Sequence, residues 1–462
     1  MNTAFTTTPD QPDQHDHDLS HLLRSDGFQT WRREVTAIGG CAAPIHLTGS
    51  SRIYDRATGT VLAEREGEIL APCGNRRASV CPACSDRYAS DAYHLLRSGM
   101  AGGKGVPDTA AAHPRLFVTL TAPSFGPVHT RRVTARGLVI PCRCGDKHHR
   151  DDPRVGCALD PESHDYVGAV LWQAHSGVLW NRFAIRLRRL LAQVLGVRVR
   201  DFREYARLSY AKVAEYQRRG LVHFHAVVRL DGPEGPWTAP PVGITADALH
   251  AAIRDAAHDV SLTVGRPDGT PQALAWGAQV DIRPITSTTA ASLENDDGEI
   301  TDSALAAYVA KYATKGTGKS EATDRPIRDI AHLDHLDITP HHRRLIETAW
   351  ELGGQEQYED LNLRRWAHML GFRGHFLTKS RAYSTTFGAI RGDRRTYRLG
   401  ETLAALDAPA EPGSVLVVND WAVVHIGHRN DAEREIALGI AERRREQRQT
   451  RSTDRTHLGR TS

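Results

Sequence analysis

Apolar positions follow two different periods along the middle of the chain. Some stretches alternate every second residue or are continuously apolar, as strands do, and others repeat with the 3.6-residue period of helices. Strands are predicted over 116–121, 203–216, 221–230 and 277–285, and helices over 167–195, 246–262 and 302–315. With the polar segment 127–165 set aside as an insertion, the order is β-α-β-β-α-β. This order predicts an α+β fold with a ferredoxin-like antiparallel sheet and helices on one face.

The predicted strand that ends in His223-Phe224-His225 carries a candidate metal site. Alternate side chains of a strand project from the same face, which places both imidazoles together and Phe224 on the opposite face. The turn ending in Gly220 predicts a hairpin centred on residue 219, and this register places Glu215 opposite His223. A His/His/Glu set with open positions suits Mg²⁺ or Mn²⁺, and Zn²⁺ is an alternative.

The predicted helix over 302–315 carries Tyr308, Lys311 and Tyr312. Tyrosines at i and i+4 lie on one face of a helix. A tyrosine hydroxyl, with a pKa of about 10, is a weak nucleophile at neutral pH. A divalent ion on a target phosphate and a nearby cation would promote its attack. The pattern therefore predicts metal-assisted transesterification of a phosphodiester, with Lys311 as the cation.

The seven cysteines predict metal binding rather than disulfides. Cys81 and Cys84 form a C-x-x-C knuckle, Cys73 precedes it, and Cys41 is the expected fourth ligand, with His46 as a substitute. This set predicts a closed, tetrahedral structural Zn²⁺ site.

The other three cysteines lie in a polar loop rich in Gly, Asp and Pro. Cys142, Cys144 and Cys157 flank His148 there. A second zinc ion held by these four residues would explain how a loop with so few apolar residues folds.

Composition narrows the class of protein. The 462 residues are 40% hydrophobic and 25% charged, with a net charge of +4, which is typical of a globular chain of two or three domains. No apolar run reaches the length of a membrane span, and the N-terminus lacks the apolar segment of a signal peptide. These features predict a cytoplasmic protein without a membrane partner.

The motifs together resemble rolling-circle replication initiators of the HUH endonuclease superfamily. The resemblance rests on the strand 116–121, the Glu215, His223 and His225 set, and the pair Tyr308 and Tyr312, in that order. Over roughly residues 40 to 400 the chain is similar to RepSA-type initiators of actinobacterial plasmids and integrative elements.

The resemblance implies a reaction and a set of partners. Glu215, His223 and His225 would hold the metal at a nick site in single-stranded or extruded origin DNA. One tyrosine would form a 5′-phosphotyrosine link and leave a 3′-OH primer, and the second would act at termination. The implied partners are origin DNA, a host helicase and a host polymerase.

This interpretation predicts five segments. They are a disordered tail (1–35), a zinc-binding module (36–105), an HUH endonuclease domain (110–320) with the second zinc loop at 140–160, a mostly helical and basic DNA-binding region (321–430) and a basic tail (431–462). Within the fourth segment, helices are predicted over 339–353 and 358–370 and a hairpin over 414–425. Its proposed origin-binding residues are Arg373, Lys379, Arg381, Arg391, Arg394, Arg395 and Arg398.

Two other functions are compatible with the same motifs. A conjugative relaxase or single-strand transposase shares the metal strand and the tyrosine chemistry, but relaxases usually place the tyrosine before the histidines. A zinc-containing DNA-binding regulator without catalysis would need neither the triad nor the tyrosines.

Overall fold

The computed structural model describes residues 20–286, 300–301, 305–307, 310, 326–406 and 410–458. The helices are α1 Phe28–Ala37, α2 Pro82–Ala101, α3 Tyr166–Val194, α4 Phe202–Tyr205, α5 Ala246–Asp259, α6 Pro340–Leu352, α7 Leu363–Trp366, α8 Phe387–Ala404 and α9 Asp431–Leu458. The strands are β1 Ile45–Asp55, β2 Val61–Ala71, β3 Arg115–Leu120, β4 Arg132–Val133, β5 Val139–Ile140, β6 Arg207–Tyr216, β7 Val222–Asp231, β8 Ser261–Gly265, β9 Pro271–Ala275, β10 Val280–Thr286, β11 Ile300–Thr301, β12 Leu377–Lys379 and β13 Val415–Ile426.

The chain is a mixed α+β protein with antiparallel sheets and a helical C-terminal region, as predicted. It divides into two compact units, which differ from the five predicted segments. The inner unit comprises residues 92–387, and the terminal unit combines the described parts of 1–91 and 388–462. Within the described ranges, no helix has both the length and the apolar character needed to cross a bilayer.

The sheet of the inner unit has the strand order β11-β10-β3-β7-β6-β12. All neighbouring pairs are antiparallel except β10 and β11. One face of this sheet is apolar, because Val118, Phe224 and Val228 belong to the main core. The opposite face carries His223 and His225, as the alternation of side chains along β7 requires.

Helices α3 and α5 cover the apolar face of this sheet. Asp165 caps α3 by accepting a hydrogen bond from the Gly168 amide, and Thr245 caps α5 by accepting one from Ala248. Trp172, Phe183 and Leu187 of α3 are fully or almost fully buried in the core they share with the strands. The helices therefore stabilise one face of the sheet. The site lies on the other face, whose residues away from it, such as Val213, Val227 and Arg229, are also buried.

Several predicted elements of the inner unit are confirmed, and others differ. The helix predicted over 167–195 is α3, and the one predicted over 339–353 is α6. The predicted strand 203–216 begins instead with the short helix α4 before β6. The hairpin of β8 and β9 was not predicted. The predicted helix 358–370 is a series of 3₁₀ turns interrupted by α7, because Asn362 and Leu370 adopt left-handed backbone angles.

The terminal unit contains a three-stranded sheet in the order β13-β1-β2. The hairpin predicted over 414–425 is wrong: this segment is the single strand β13, which pairs with β1 along its whole length. Asn419 and Asp420, whose types favour turns, lie inside the paired ladder opposite Ser51 and Ser50. Pairing with a strand about 370 residues earlier thus overrides the local turn preference.

Candidate functional site: a histidine and carboxylate centre

The hairpin of β6 and β7 brings Glu215 opposite His223, which confirms the predicted register. Gly220 has φ +75°, a left-handed conformation that suits glycine in this turn. Backbone hydrogen bonds close the turn from Gly220 N to Gln217 O and from Gln217 N to Leu221 O, both at 2.9 Å. The local sequence therefore determines both the turn and the face on which the three polar side chains meet.

Three side-chain atoms converge on one point of the sheet face opposite the helices. Nε2 of His223 and Nε2 of His225 each lie 2.9 Å from Oε2 of Glu215, and the two nitrogens lie 3.1 Å apart. The side chains of His223 and Glu215 are 16% and 13% exposed, whereas that of His225 is 4% exposed. The centre is thus held within the protein but accessible from one side, as a substrate site requires.

The electrostatics of the triad favour metal ligation. Burial would raise the pKa of Glu215, but hydrogen bonds from His223 and His225 outweigh it and lower that pKa to about 2. Burial also lowers the pKa of His225, which favours its neutral, metal-binding form. A carboxylate beside neutral imidazoles provides the ligand set of a divalent cation.

Two residues of β3 fix the orientation of His225. Oγ1 of Thr119 lies 3.1 Å from Nδ1 of His225, and the Phe117 ring stacks on the imidazole at 5.6 Å between centroids with 8° between planes. When Nδ1–H donates to Thr119, Nε2 keeps its lone pair and points at the centre. Thr119 is therefore a positioning residue. Its place opposite His225 in the ladder became evident only once β3 was paired with β7.

Arg219 links the tip of the β6–β7 hairpin to the segment that follows β3. Its guanidinium donates to the carbonyls of Pro123 and Ala122, both at 2.8 Å. Burial lowers the pKa of this arginine. The contact holds the turn close to the strand that positions His225, which limits motion of the triad.

The predicted tyrosine helix lies largely outside the described residues. Tyr308, Lys311 and Tyr312 are among the residues not described, and their roles remain predictions. Leu305, Ala306 and Ala310, which surround them in sequence, are helical and buried.

The four cysteines of the predicted structural site come together in the terminal unit. The Sγ atoms of Cys73 and Cys84, of Cys81 and Cys41, and of Cys84 and Cys41 are each 3.7 Å apart. A tetrahedral zinc site with Zn–S bonds of about 2.3 Å has sulfur–sulfur edges of about 3.8 Å, so the cluster has the dimensions of such a site.

The surroundings of the four cysteines also suit thiolate ligands. The Ala42 amide donates to Sγ of Cys81, and the Cys73 amide donates to Sγ of Cys41. Hydrogen bonds among the four thiols lower the pKa of Cys73 and Cys81 and raise that of Cys41 and Cys84. The alternative ligand, His46, instead hydrogen bonds the Gly427 carbonyl.

The second predicted cluster forms with one different member. His129, Cys142, Cys144 and His148 offer ligand atoms that all lie within 4.8 Å of one another. Cys157 is not in this group, because its thiol is directed towards the Pro153 carbonyl at 3.5 Å.

His129 enters this cluster because the loop folds back on itself. The His129 amide donates to the Cys157 carbonyl, and the Gly156 amide donates to the His129 carbonyl. These backbone hydrogen bonds hold His129 beside the far end of the loop, although the two are distant in sequence. Asp152 accepts a hydrogen bond from Nδ1 of His148 at 2.8 Å and leaves Nε2 directed at the cluster. Burial alone would raise the pKa of Cys142, but the amides of Cys144 and Thr130 help lower it to about 5.

Some of the arginines predicted to bind the origin form ion pairs within the protein, and others lie on accessible surface. Within the terminal unit, Arg391 and Arg394 both pair with Asp91, at 3.0 and 2.6 Å. In the basic tail, Arg445 and Arg448 both pair with Asp86. These four side chains therefore contribute to the structure of the unit, and Arg381 of the inner unit lines an open cleft instead.

Comparison with known proteins decides the family. Residues 27–442 match the family described as replication initiator protein, pSAM2 (RepSA). The chain belongs to the RepSA family. A replication initiator protein from Streptomyces ambofaciens is 45% identical over 423 residues, which cover 89% of each chain. No solved structure matches. The predicted resemblance to RepSA-type initiators is confirmed, and the protein is a replication initiator.

Proposed function

We propose that this RepSA-family protein is an HUH endonuclease that starts rolling-circle replication by nicking single-stranded or extruded origin DNA. The observation that carries the proposal is the convergence of Glu215, His223 and His225 within 3.1 Å at a partly exposed point of the sheet. A carboxylate and two imidazoles so close together can share one cation, which would help to offset the cost of burying them.

The donor atoms of the triad fit a divalent metal. They combine one carboxylate oxygen with two imidazole nitrogens and occupy one side of the ion, leaving positions for a phosphate. Mg²⁺ or Mn²⁺ is the proposed ion, with Zn²⁺ as the alternative. When bound, the ion would polarise the scissile phosphate.

The topology of the inner sheet supports an HUH-type, ferredoxin-like core. Its central strands have the order β10-β3-β7-β6, all antiparallel. Numbered as the four strands of a β-α-β-β-α-β unit, this order is 4-1-3-2, with α3 and α5 as the two crossover helices. The core is thus consistent with the fold implied by the sequence motifs.

Side chains of the protein would carry out the transfer of the DNA phosphate to tyrosine. The phenolic oxygen of Tyr308 or Tyr312 attacks the phosphorus, the bond from phosphorus to the 3′-oxygen breaks, and that oxygen takes a proton to become the 3′-OH primer. The product is a 5′-phosphotyrosine, which keeps the phosphodiester energy. Lys311 is the proposed cation beside the nucleophile. The second tyrosine would attack the regenerated site and release a circle.

The adduct provides the direct test of this mechanism. Purified protein is incubated with labelled single strands tiled across the DNA that flanks its gene, with Mn²⁺ or EDTA, and analysed by denaturing gel and peptide mass spectrometry. We expect a metal-dependent covalent adduct on Tyr308 or Tyr312. Phenylalanine variants of these residues should affect initiation and termination differently. Tight duplex binding without an adduct on any tile would support a non-catalytic regulator instead.

The contact between Thr119 and His225 predicts a second, smaller effect. Replacing Thr119 with valine keeps the β-branched shape but removes the oxygen at 3.1 Å from Nδ1. Loss of such a partner of a ligand typically costs about 10- to 100-fold in metal affinity or activity. We expect the Mn²⁺ concentration for half-maximal cleavage to rise in that range, whereas Thr119→Ser should stay close to wild type. Equal behaviour of the two variants would refute the positioning role.

The two cysteine-containing clusters are proposed as zinc sites. Cys41, Cys73, Cys81 and Cys84 would form a closed structural site, and His129, Cys142, Cys144 and His148 a second one. Both sets supply four ligands, which leaves no position for a substrate. Origin DNA is the proposed partner, with a host helicase and polymerase acting after the nick.

A further inference from the structure

An arginine-lined cleft lies on the inner unit at the end of β6 remote from Glu215. Two cavities of about 380 and 410 Å³ share Arg207 and Arg381 in their walls. Arg207 begins β6, and Arg381 follows β12. The other basic residues that line the two cavities are Arg188, Arg203 and Lys104.

Three of the arginines in this cleft have no acidic partner among the described residues. Arg188, Arg203 and Arg381 form no ion pair with any described residue, and Glu234 is the one acidic side chain in the lining of the two cavities. Such a concentration of guanidinium groups in a concave surface attracts a polyanion. Their planar donor geometry matches phosphate oxygens.

An exposed aromatic ring lies among these cations. Trp237 lines the second cavity and is 62% exposed. Its loop is ordered by hydrogen bonds from Gly232 N to Thr238 O and from Glu234 N to Oγ1 of Thr238, both at 3.0 Å. An accessible indole beside arginines is the arrangement on which unpaired bases stack. The bases of a duplex already stack on each other, which makes a single strand the better match.

The segment that carries Arg381 is held in place by two hydrogen bonds. Nζ of Lys379 donates to the Ser384 carbonyl at 2.8 Å, and the Tyr383 hydroxyl donates to the Leu96 carbonyl at 3.1 Å. These bonds restrain the segment that carries Arg381. A preformed cleft binds its ligand at a lower entropic cost than mobile side chains do.

We propose that this cleft binds single-stranded DNA that extends from the nick site. The inference rests on the proposed function, because the bound strand is the one that the triad would cleave. Arg207 and Glu215 are eight residues apart on β6, which corresponds to roughly 26 Å at about 3.3 Å per residue. At the duplex spacing of about 3.4 Å per nucleotide, roughly eight nucleotides would cover this distance, and an extended single strand would need fewer.

Binding is tested without cleavage, in EDTA, with a fluorescein-labelled strand of thirty thymidines. Trp237→Ala should weaken binding at least about fivefold through lost stacking, and Trp237→Phe should retain most of it. The double variant Arg203→Gln with Arg381→Gln should reduce the slope of log affinity against log salt concentration by about 1.4, since each lost phosphate contact on a single strand contributes about 0.7. Arg254→Gln, an exposed arginine on α5 outside the cleft, is the control and should leave the slope unchanged.

The possible outcomes distinguish a failure of the cleft proposal from a failure of the proposed nicking function. Wild-type affinity and salt slope in both the Trp237→Ala and the double arginine variant would overturn the proposal. Tighter binding of a thirty-base-pair duplex that depends on the arginines but not on Trp237 would overturn the single-strand assignment. Loss of thymidine binding in these variants, in a protein that cleaves no strand, would uphold the cleft and reject the nickase.

Strand length provides a further test in a protein that cleaves. Substrates cut near one end, with only about two nucleotides on the side that faces the cleft, are too short to reach it and should be cleaved equally by wild type and Trp237→Ala. At subsaturating concentrations of longer substrates, Trp237→Ala should cleave more slowly than wild type. A uniform effect of Trp237→Ala at every length on both sides of the nick would contradict the proposed path.

Discussion

His225→Ala is expected to abolish nicking while duplex DNA binding survives. The imidazole of His225 supplies one of three converging ligand atoms and is the least exposed of the three side chains. Its removal leaves a His/Glu pair that holds a divalent ion poorly, and the polarisation of the phosphate is lost with it. We expect the single-turnover cleavage rate to fall at least about a thousandfold, a barrier increase of roughly 4 kcal/mol. The rate is measured on a saturating labelled single strand with Mn²⁺.

Two further variants make this result specific. Glu215→Gln keeps the size of the side chain but removes its charge, and it should lose cleavage in a way that higher Mn²⁺ restores only in part. His258→Ala, an exposed histidine in the last turn of α5, should cleave as wild type does. Cleavage by His225→Ala at a rate near that of wild type would rule out the triad as the metal centre.

Removal of zinc from the four-cysteine cluster is expected to unfold the terminal unit. Cys41, Cys81 and Cys84 are themselves buried members of a small core cluster with Ile38 and Ala42, against which Leu70, Cys73, Ala83 and Leu438 pack. A core this small cannot compensate for the loss of a structural ion, which contributes about 10 to 16 kcal/mol in zinc-finger peptides at pH 7. We expect Cys81→Ser, in the full chain, to lose hydrogen-exchange protection in β1 and β2 and to bind one zinc fewer by elemental analysis.

A cysteine outside both clusters serves as a control that distinguishes loss of a zinc ligand from general destabilisation of the fold. Cys157→Ser removes a thiol that lies outside both clusters, and it should keep the full zinc content and normal exchange in β1 and β2. Full zinc content together with normal exchange in Cys81→Ser would show that the four thiols do not hold an ion.

The parts of the site that could be predicted from the sequence are those set by local geometry. The alternation of side chains along β7 places His223 with His225, and the turn at Gly220 sets the register that adds Glu215. His129 was not predicted, because its partners are brought to it by the path of an irregular loop. The role of Thr119 could not be predicted either, because it depends on which strand pairs with β3.

The fold shows the same division between local and distant interactions. Helices with clear caps and apolar faces, such as α3 and α6, lie where their pattern predicted them. β13 was misread as a hairpin, because the partner that straightens it is β1, at the other end of the chain. The five predicted segments followed sequence order, whereas the terminal unit combines both ends of the chain.

The pairing of β13 with β1 has a consequence for synthesis. Translation proceeds from the N-terminus, so β1 and β2 leave the ribosome long before the strand that completes their sheet. The inner unit is continuous in sequence and has all its strands available by residue 379. Until Ile426 emerges, the free edge of β1 exposes unpaired backbone groups to solvent and to other chains. The sheet of β1 and β2 therefore cannot be completed until β13 has been translated.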